Sequence, residues 1–561
     1  MNLKDFRFLS TICRDEIRRY EARDGKLAFS CAAIAVTLAL QSGAVQGQTA
    51  PAAKSPAQKI NITSIRVEGN TLLPEGVLAG MVSGVQGPDR TLSELNLLAT
   101  RIQNAYRDAG FGGVVAFVPE QDVTSGNVVV RVVEGKLAAV RVTGNSHFTT
   151  ANVRAGLPNL REGATPVVRA IDRDIQLSNE NPAKELKVTL TAGSKPGDVD
   201  AEVNVSERDP LQVLLGYNNT GNEQTGRHRL SVGAQHSNLF GRDHVATIQY
   251  QTSPEHPSQV QVFSVGYHVP LYDWAGSVDA FYAHSNVRNG TTSTPAGPLT
   301  FAGKGEVLGL RGNRNLDRIG EYDHRVTLGV DFKDYQNDCA LGNFGPAACG
   351  SAGVSISVAP VMVAYTGQKQ GPQLAWGINA SLAANAGGSS ADTFEAARPG
   401  ARKHYVLTRL SGFAEVGLAG GFALAGRADA QYTPHALISG EKFGLGGAGS
   451  VRGYEERELS GDYGVGARFE VLGPMLGVGA SEGFRARPLV FVDHGRVSNH
   501  KGLPCRGTAE TSCSLSGVGL GARLNMGKHA SASVEVGRAL DNAISTSKGD
   551  YRAHVSINVV Y

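Results

Sequence analysis

The sequence predicts a two-part fold: paired α+β modules followed by an all-β transmembrane barrel of sixteen antiparallel strands. Three observations predict it. From Leu211 onward, apolar and polar residues alternate with a period of two, the pattern of strands with lipid on one face and a wet lumen on the other. Upstream, ITSIRVEGN (62–70) recurs as LAAVRVTGN (137–145), a spacing that suits a small domain used twice. No run of 18 apolar residues occurs in the 561. That excludes a helical membrane protein, but not a barrel, whose strands average out in any hydropathy window. Net charge is +3, mean hydropathy −0.16, and glycine numbers 70. A balance this close to neutral argues against a dedicated nucleic-acid binder.

Residues 1–47 read as a secretory signal with a long n-region. LAFSCAAIAVTLAL (27–40) is too short to span a bilayer and follows seven basic and five acidic side chains. The small residues after it place cleavage near Ala44 to Gly47. Cys31 lies inside the apolar stretch, two residues after Phe29, which does not suit a lipoprotein acceptor. Of six cysteines, Cys13 and Cys31 leave with the signal. The others form two close pairs, Cys339–Cys349 and Cys505–Cys513, in Gly/Ser/Ala/Pro-rich segments. After export, such pairs read as loop-stapling disulfides. No neighbouring CxxC or HxxxH supports a metal site, and no cofactor is expected.

Residues 48–59, QTAPAAKSPAQK, form a polar linker. The first module covers 60–136. It reads as strand (INITSIRVEGN), two helices (LPEGVLAGMVS and TLSELNLLATRIQNAYRDAG) and two strands (GVVAFVPEQ and NVVVRVVEG). Leu95, Leu98, Ile102 and Tyr106 fall at helical spacing in the second helix, and Gly110 stops it. The second module, 137–209, repeats that β-α-α-β-β order. A three-stranded sheet covered by helices leaves an edge that can accept an extended peptide.

The barrel covers 210–561, and no helical period is expected there. YRAHVSINVVY (551–561) shows the alternation best: Tyr551, Ala553, Val555, Ile557, Val559 and Tyr561 share one face. Sixteen such segments put both barrel ends on one side of the membrane. Compact connections, 238–243, 366–371 and 526–528, fit inner turns. Longer ones, 288–301, 337–353, 385–401, 434–459, 500–513 and 539–550, fit outer loops, and both cysteine pairs fall in them. The scattered histidines, such as His268 and His554, read as ordinary lumen residues. The sixth outer loop contains FGLGGAGSVRGYEEREL (443–459). Its Gly444-x-Gly446-x-x-Gly449 spacing satisfies a dinucleotide fingerprint by accident, since no βαβ unit surrounds it. The glycines instead let the loop fold back on itself. Ser450 lacks the flanking glycines of a nucleophile elbow, having Ala448 and Arg452 in their place, and no enzyme is expected.

VRGY (Val451, Arg452, Gly453, Tyr454) resembles the loop-six motif of the BamA-like superfamily of outer-membrane translocators. FVDHG, with Phe491, Asp493 and Gly495 on one strand face, resembles its Phe-x-Asp-x-Gly motif on the thirteenth strand. The resemblance implies that loop six folds into the lumen and that Arg452 meets Phe491 and Asp493 there. It also makes the terminal aromatic Tyr561 an assembly signal. The two upstream modules resemble POTRA domains, and two of them beside sixteen strands resemble the two-partner-secretion transporters of the hemolysin-activator and filamentous-hemagglutinin exporter type. This likeness covers nearly the whole mature chain. It implies an outer-membrane protein of a Gram-negative bacterium with its POTRA-like modules in the periplasm. Its partners would be outer-membrane lipid, the barrel-assembly machinery during insertion, and a secreted protein bound as an extended chain, with no nucleic acid and no nucleotide. The alternative is a BamA-like assembly factor, which normally carries more modules. One feature departs from the family: about a dozen residues separate the cleavage site from the first module, too few for an N-terminal plug helix. Either loop six, with other outer loops, is then expected to close the pore, or the plug is absent.

Overall fold

The computed structural model describes residues 59–561 except 224, 288, 289, 295, 296, 302, 303, 337–350, 352, 478–482, 507 and 508. The signal, nearly all of the linker and the Cys339–Cys349 pair therefore lie outside the described residues.

In the first module, helices Glu75–Ser83 and Leu92–Asp108 accompany a three-stranded sheet. Asn127–Glu134 is its central strand, parallel to Ser64–Glu68 and antiparallel to Val114–Phe117. The longer helix begins where Thr91 and Glu94 form a capping box, satisfying two otherwise orphaned amides. Leu95, Leu98, Ile102 and Tyr106 are buried in one core with Val128, Val130 and Val132. A further pairing, Lys59–Ile62 with Gly87–Thr91, had no counterpart in the sequence reading, because GPDRT carries turn residues rather than a strand pattern. The second module repeats the plan. Asp198–Glu207 is central, parallel to Lys136–Thr143 and antiparallel to Lys184–Ala192, beside helices Thr150–Ala155 and Val168–Ser178.

The repeated Gly-Asn has a physical basis. Gly69 and Gly144 adopt φ of 88° and 81°, and a Cβ on either would lie 2.2 or 2.3 Å from the carbonyl oxygen of Val132 or Val205. Only glycine tolerates both demands. Asn70 and Asn145 then each donate from Nδ2 to the carbonyl three residues on, at 2.9 Å. A carboxylate from the end of the central strand locks each turn. Glu134 accepts the Thr71 and Leu72 amides, and Glu207 those of Ser146, His147 and Phe148. Burial pushes the Glu207 carboxyl up, but these hydrogen bonds outweigh it and hold the group below its ordinary value.

The barrel strands run in chain order. One to eight are Leu211–Asn218, Arg229–Leu239, His244–Thr252, Gln261–Leu271, Gly276–Ser285, Lys304–Asn315, Tyr322–Gln336 and Ile356–Lys369. Nine to sixteen are Leu374–Gly388, Val406–Gly417, Ala423–Tyr432, Tyr463–Leu472, Phe484–Ser498, Ser512–Met526, Ala530–Ala539 and Tyr551–Val560. Each pairs antiparallel with the next, and the cylinder closes between sixteen and one. There Val213 and Tyr561 exchange both backbone hydrogen bonds, at 2.7 and 3.0 Å. The alternation sorts as lipid and lumen demand: Leu328, Val330, Phe332, Val490 and Val492 point outward and are exposed, while Phe491 and Asp493 are buried. Among the described residues no helix is long and apolar enough to cross a membrane.

Two details differ from expectation. Loop 385–401 contains a helix, Ala391–Ala397, capped by Ser390 and anchored by buried Phe394. Seven residues are too few to show a helical period. Cys513 lies on strand fourteen rather than in the preceding loop, because its neighbours continue the alternation.

The second module is fastened to the barrel. Lys184 Nζ meets Asp243 Oδ2 at 2.5 Å with both side chains fully buried, and Tyr272 Oη donates to the same oxygen at 2.5 Å. Asn181 and Asn152 donate to the carbonyls of Ser237 and Gly241 at 2.6 and 2.8 Å.

Candidate functional site

The long connection between strands eleven and twelve, residues 433–462, turns back into the lumen as loop six. Its stem is a short hairpin, Phe443–Leu445 with Leu459–Gly461, and its tip is Val451–Tyr454. Val451 and Tyr454 are fully buried in a cluster with Leu445, Leu459, Val497 and Leu515.

Arg452 is 1 % exposed and Asp493 0 %. The guanidinium donates to Asp493 from Nε to Oδ2 and from Nη2 to Oδ1, both at 2.7 Å. This is a bidentate fork, the strongest common ionic hydrogen-bond geometry. Nη1 donates to Glu470 Oε1 at 2.8 Å and to Glu535 Oε2 at 3.0 Å. The Arg452 amide adds a bond to Asp493 Oδ2 at 3.0 Å. Beneath the guanidinium lies the Phe491 ring, its centroid 3.5 Å from Cζ, so the cation sits on the negative face of the ring. One loop residue therefore engages strands twelve, thirteen and fifteen. Arg523 of strand fourteen bonds the other oxygen of Glu470, which offsets part of the carboxylate excess.

The neighbouring positions make room for this contact. Gly453 has φ 100°, and its amide donates to His554 Nε2 at 3.0 Å, so that ring nitrogen carries no proton. A Cβ at Gly517 would lie 2.1 Å from the Arg452 carbonyl oxygen, and one at Gly537 2.6 Å from the Gly453 nitrogen. At Gly495 a Cβ would fall 2.6 Å from Leu445 Cδ2, so this glycine seats the loop stem. Tyr454 Oη donates to the Ser516 carbonyl at 2.8 Å and accepts the Asp541 amide at 2.9 Å. Glu458 accepts the amides of Ser545 and Thr546, both at 2.7 Å, tying loop six to the last outer loop. Asp462 pairs with Arg398 and accepts the His500 amide at 2.8 Å, joining loops five, six and seven.

The structure thus brings Arg452, Phe491 and Asp493 into one contact, with Val451, Gly453, Tyr454 and Gly495 packed around it. Cys505 and Cys513 form a disulfide across an eight-residue separation, in the same cluster as Val451. Tyr561 lies apart, at the barrel seam. Glu470, Glu535 and Glu458 escaped the sequence reading, and His554, read as an ordinary lumen residue, accepts the Gly453 amide. A signal existed for two of them: Glu470 and Glu535 are acids on the lumen phase of strands whose other phase is apolar. Among the described residues, no His, Cys, Asp or Glu cluster has the arrangement of a metal site.

Residues 197–524 match the family of haemolysin secretion/activation proteins ShlB/FhaC/HecB, and residues 60–135 match the ShlB-type POTRA domain. The outer membrane transporter CdiB of Dickeya dadantii (strain 3937) is 24% identical over 451 residues, covering 78% of this chain and 76% of the relative. In fold, the chain is similar to CdiB from Escherichia coli, with a TM-score of 0.74 at 19% identity over 92% of this chain and 93% of that one. CdiB from Acinetobacter baumannii gives 0.68 at 17% identity over 90% and 91%.

Proposed function

The chain belongs to the haemolysin secretion/activation family ShlB/FhaC/HecB, the outer-membrane transporters of two-partner secretion, and from that premise we propose how it exports its partner. The partner is a large, unfolded, β-rich polypeptide. It meets the periplasmic modules as an extended chain and adds a strand to a sheet edge. The strand order leaves Val114–Phe117 at the edge of the first sheet and Lys184–Ala192 at the edge of the second. Val115 and Phe117 stand exposed on the first, an apolar contact for an added strand, which would displace the long 3.4 Å bond from the Ala116 amide to Gln103 Oε1. The chain then threads the lumen, and loop six yields to it. Folding outside the cell gives direction, so no nucleotide is invoked.

The observation that carries this reading is the Arg452–Asp493 clasp inside the barrel. A passive pore needs no returning loop held by a buried guanidinium. Co-expression of the transporter with its partner tests the role. Arg452→Ala and Asp493→Ala are expected to lower the secreted partner while the barrel still inserts in the outer membrane. Unchanged secretion in both variants overturns the assignment.

A further inference from the structure

Loop six does not fill the barrel evenly. Its tip is bonded to strands twelve to sixteen through Glu470, Asp493, Ser516, Glu535 and His554. Between the loop and strands six, seven and nine to eleven lies a cavity of about 500 Å³. It leads toward the periplasm: a cavity of about 140 Å³ shares Asn379, Ser411 and Arg427 with it. A third, of about 400 Å³, shares Thr366 and Gln368 with the second and reaches Glu180 of the second module. The three form a lane from the module junction to loop six.

The upper chamber of this lane is basic. Lys333, Arg409, Arg427, Lys442 and Arg457 line it. Among the described residues, two carboxylates form ion pairs with them. Glu441 is taken by Lys333 and Arg409 at 2.8 and 3.4 Å, and Asp429 by Arg427 at 3.1 Å. Among the described residues, no ion pair joins Lys442 or Arg457 to a carboxylate. The Arg457 Nη2 donates to the Lys442 carbonyl at 3.0 Å. Glu456, a further acid of the same loop, accepts the Ala448 amide at 2.8 Å. The wall beside the chamber repeats the excess: Arg427 stands directly opposite Arg468 in the register of strands eleven and twelve. Like charges at paired positions destabilise a sheet unless something anionic offsets them.

We propose that the upper chamber of this lane is an anion-binding site whose ligand is a carboxylate-bearing, extended polypeptide segment. The inference rests on the reading of the barrel as an export channel and adds what the channel prefers to hold. Lys442 and Arg457, the two without an ion pair, are half-buried, so carboxylates gain more from them there than at an open surface. Acidic stretches of a cargo chain pause beneath loop six, while basic stretches are repelled.

The test uses the purified full-length transporter in planar bilayers, with hexaglutamate or hexalysine added on the periplasmic side. Hexaglutamate is expected to block ion current, hexalysine to block at least tenfold less well, and raised salt to weaken the block. The triple variant Arg427→Gln, Lys442→Gln, Arg457→Gln should lose at least tenfold in hexaglutamate affinity. The charge-swapped variant Arg427→Glu, Arg457→Glu should prefer hexalysine, which separates charge from a folding defect. Equal block by the two peptides, or an unchanged preference in the charge-swapped variant, overturns the proposal. Block by pyrophosphate as strong as by hexaglutamate overturns the polypeptide assignment. Because no export is measured, a failure of the export reading and a failure of this one are distinguishable.

Discussion

Asp493→Asn is the sharpest perturbation of the clasp, because it keeps the shape and removes the charge. Asparagine offers one acceptor oxygen and turns an NH₂ toward the guanidinium, so one arm of the fork is lost and the other becomes neutral. Removing one partner of a buried pair costs ~3–5 kcal/mol. Arg452 keeps Glu470 and Glu535, which places this variant at the low end, about 3 kcal/mol. At 1.4 kcal/mol per factor of ten, the population with loop six released rises roughly 100-fold. A Val451→Cys reporter reads that population, since Val451 is fully buried when the loop is clasped. The rate of labelling by a membrane-impermeant maleimide then follows the opening equilibrium. Glu470→Gln is the control: it weakens one bond of Arg452 and one of Arg523 and leaves the fork, about 1.5 kcal/mol at the loop and roughly tenfold. A labelling rate that moves less than threefold in Asp493→Asn, or as much in Glu470→Gln as in Asp493→Asn, refutes the clasp as the lock.

Gly517→Ala adds one methyl carbon against the Arg452 carbonyl oxygen and should raise labelling of the same reporter at least tenfold without altering any charge; labelling equal to the parent would mean the loop has slack. Lys184→Ala leaves Asp243 buried without its cation and should cost ~3–5 kcal/mol at the module junction, read as faster proteolysis between the second module and strand one; unchanged cleavage would show that the asparagine contacts suffice. Glu207 has a depressed folded-state pKa, so its contribution is present above the unfolded carboxyl value, about 4.3, and is lost as pH falls through the folded value. Exchange of the Ser146, His147 and Phe148 amides should therefore accelerate only on acidification below that range, and Glu207→Gln should abolish the pH step.

Much of this was legible because the periods are physical. In the barrel a strand has one face in lipid, so a period of two cannot be disguised, and Val490/Phe491/Val492/Asp493 could be sorted before any coordinates. The module helix 92–108 was equally plain from Leu95, Leu98, Ile102 and Tyr106. Partners that come from distant strands carry no such mark. Glu470 and Glu535 reach Arg452 from 18 and 83 residues away, and only closure of the cylinder brings them together. Glu134 and Glu207 were hidden for a related reason: each sits at a strand end, where an acid is unremarkable until the Gly-Asn turn folds under it. Lys184 carries no such mark either, since its burial depends on a turn 59 residues later.

The contrast between Lys184–Asp243 and the Arg452 clasp shows why, under the proposed export role, the first would hold still while the second opens. Lys184 and Asp243 seal a junction of side chains. Burial pulls the lysine ammonium below its ordinary value, against the attraction of Asp243, so separating this pair without rehydrating it strands two charges in a dry site. Arg452 and its carboxylates are buried only by the loop that carries the arginine. When loop six leaves, its cation and the wall carboxylates all enter a wet lumen and recover hydration. The Coulomb attraction lost is then largely returned as solvation, and the net cost falls to a few kcal/mol rather than the tens an isolated buried charge implies. An apolar plug of the same area has no such refund. A charged clasp in an aqueous channel can be specific in its closed geometry and still open under the modest work that a threading, outward-folding polypeptide supplies.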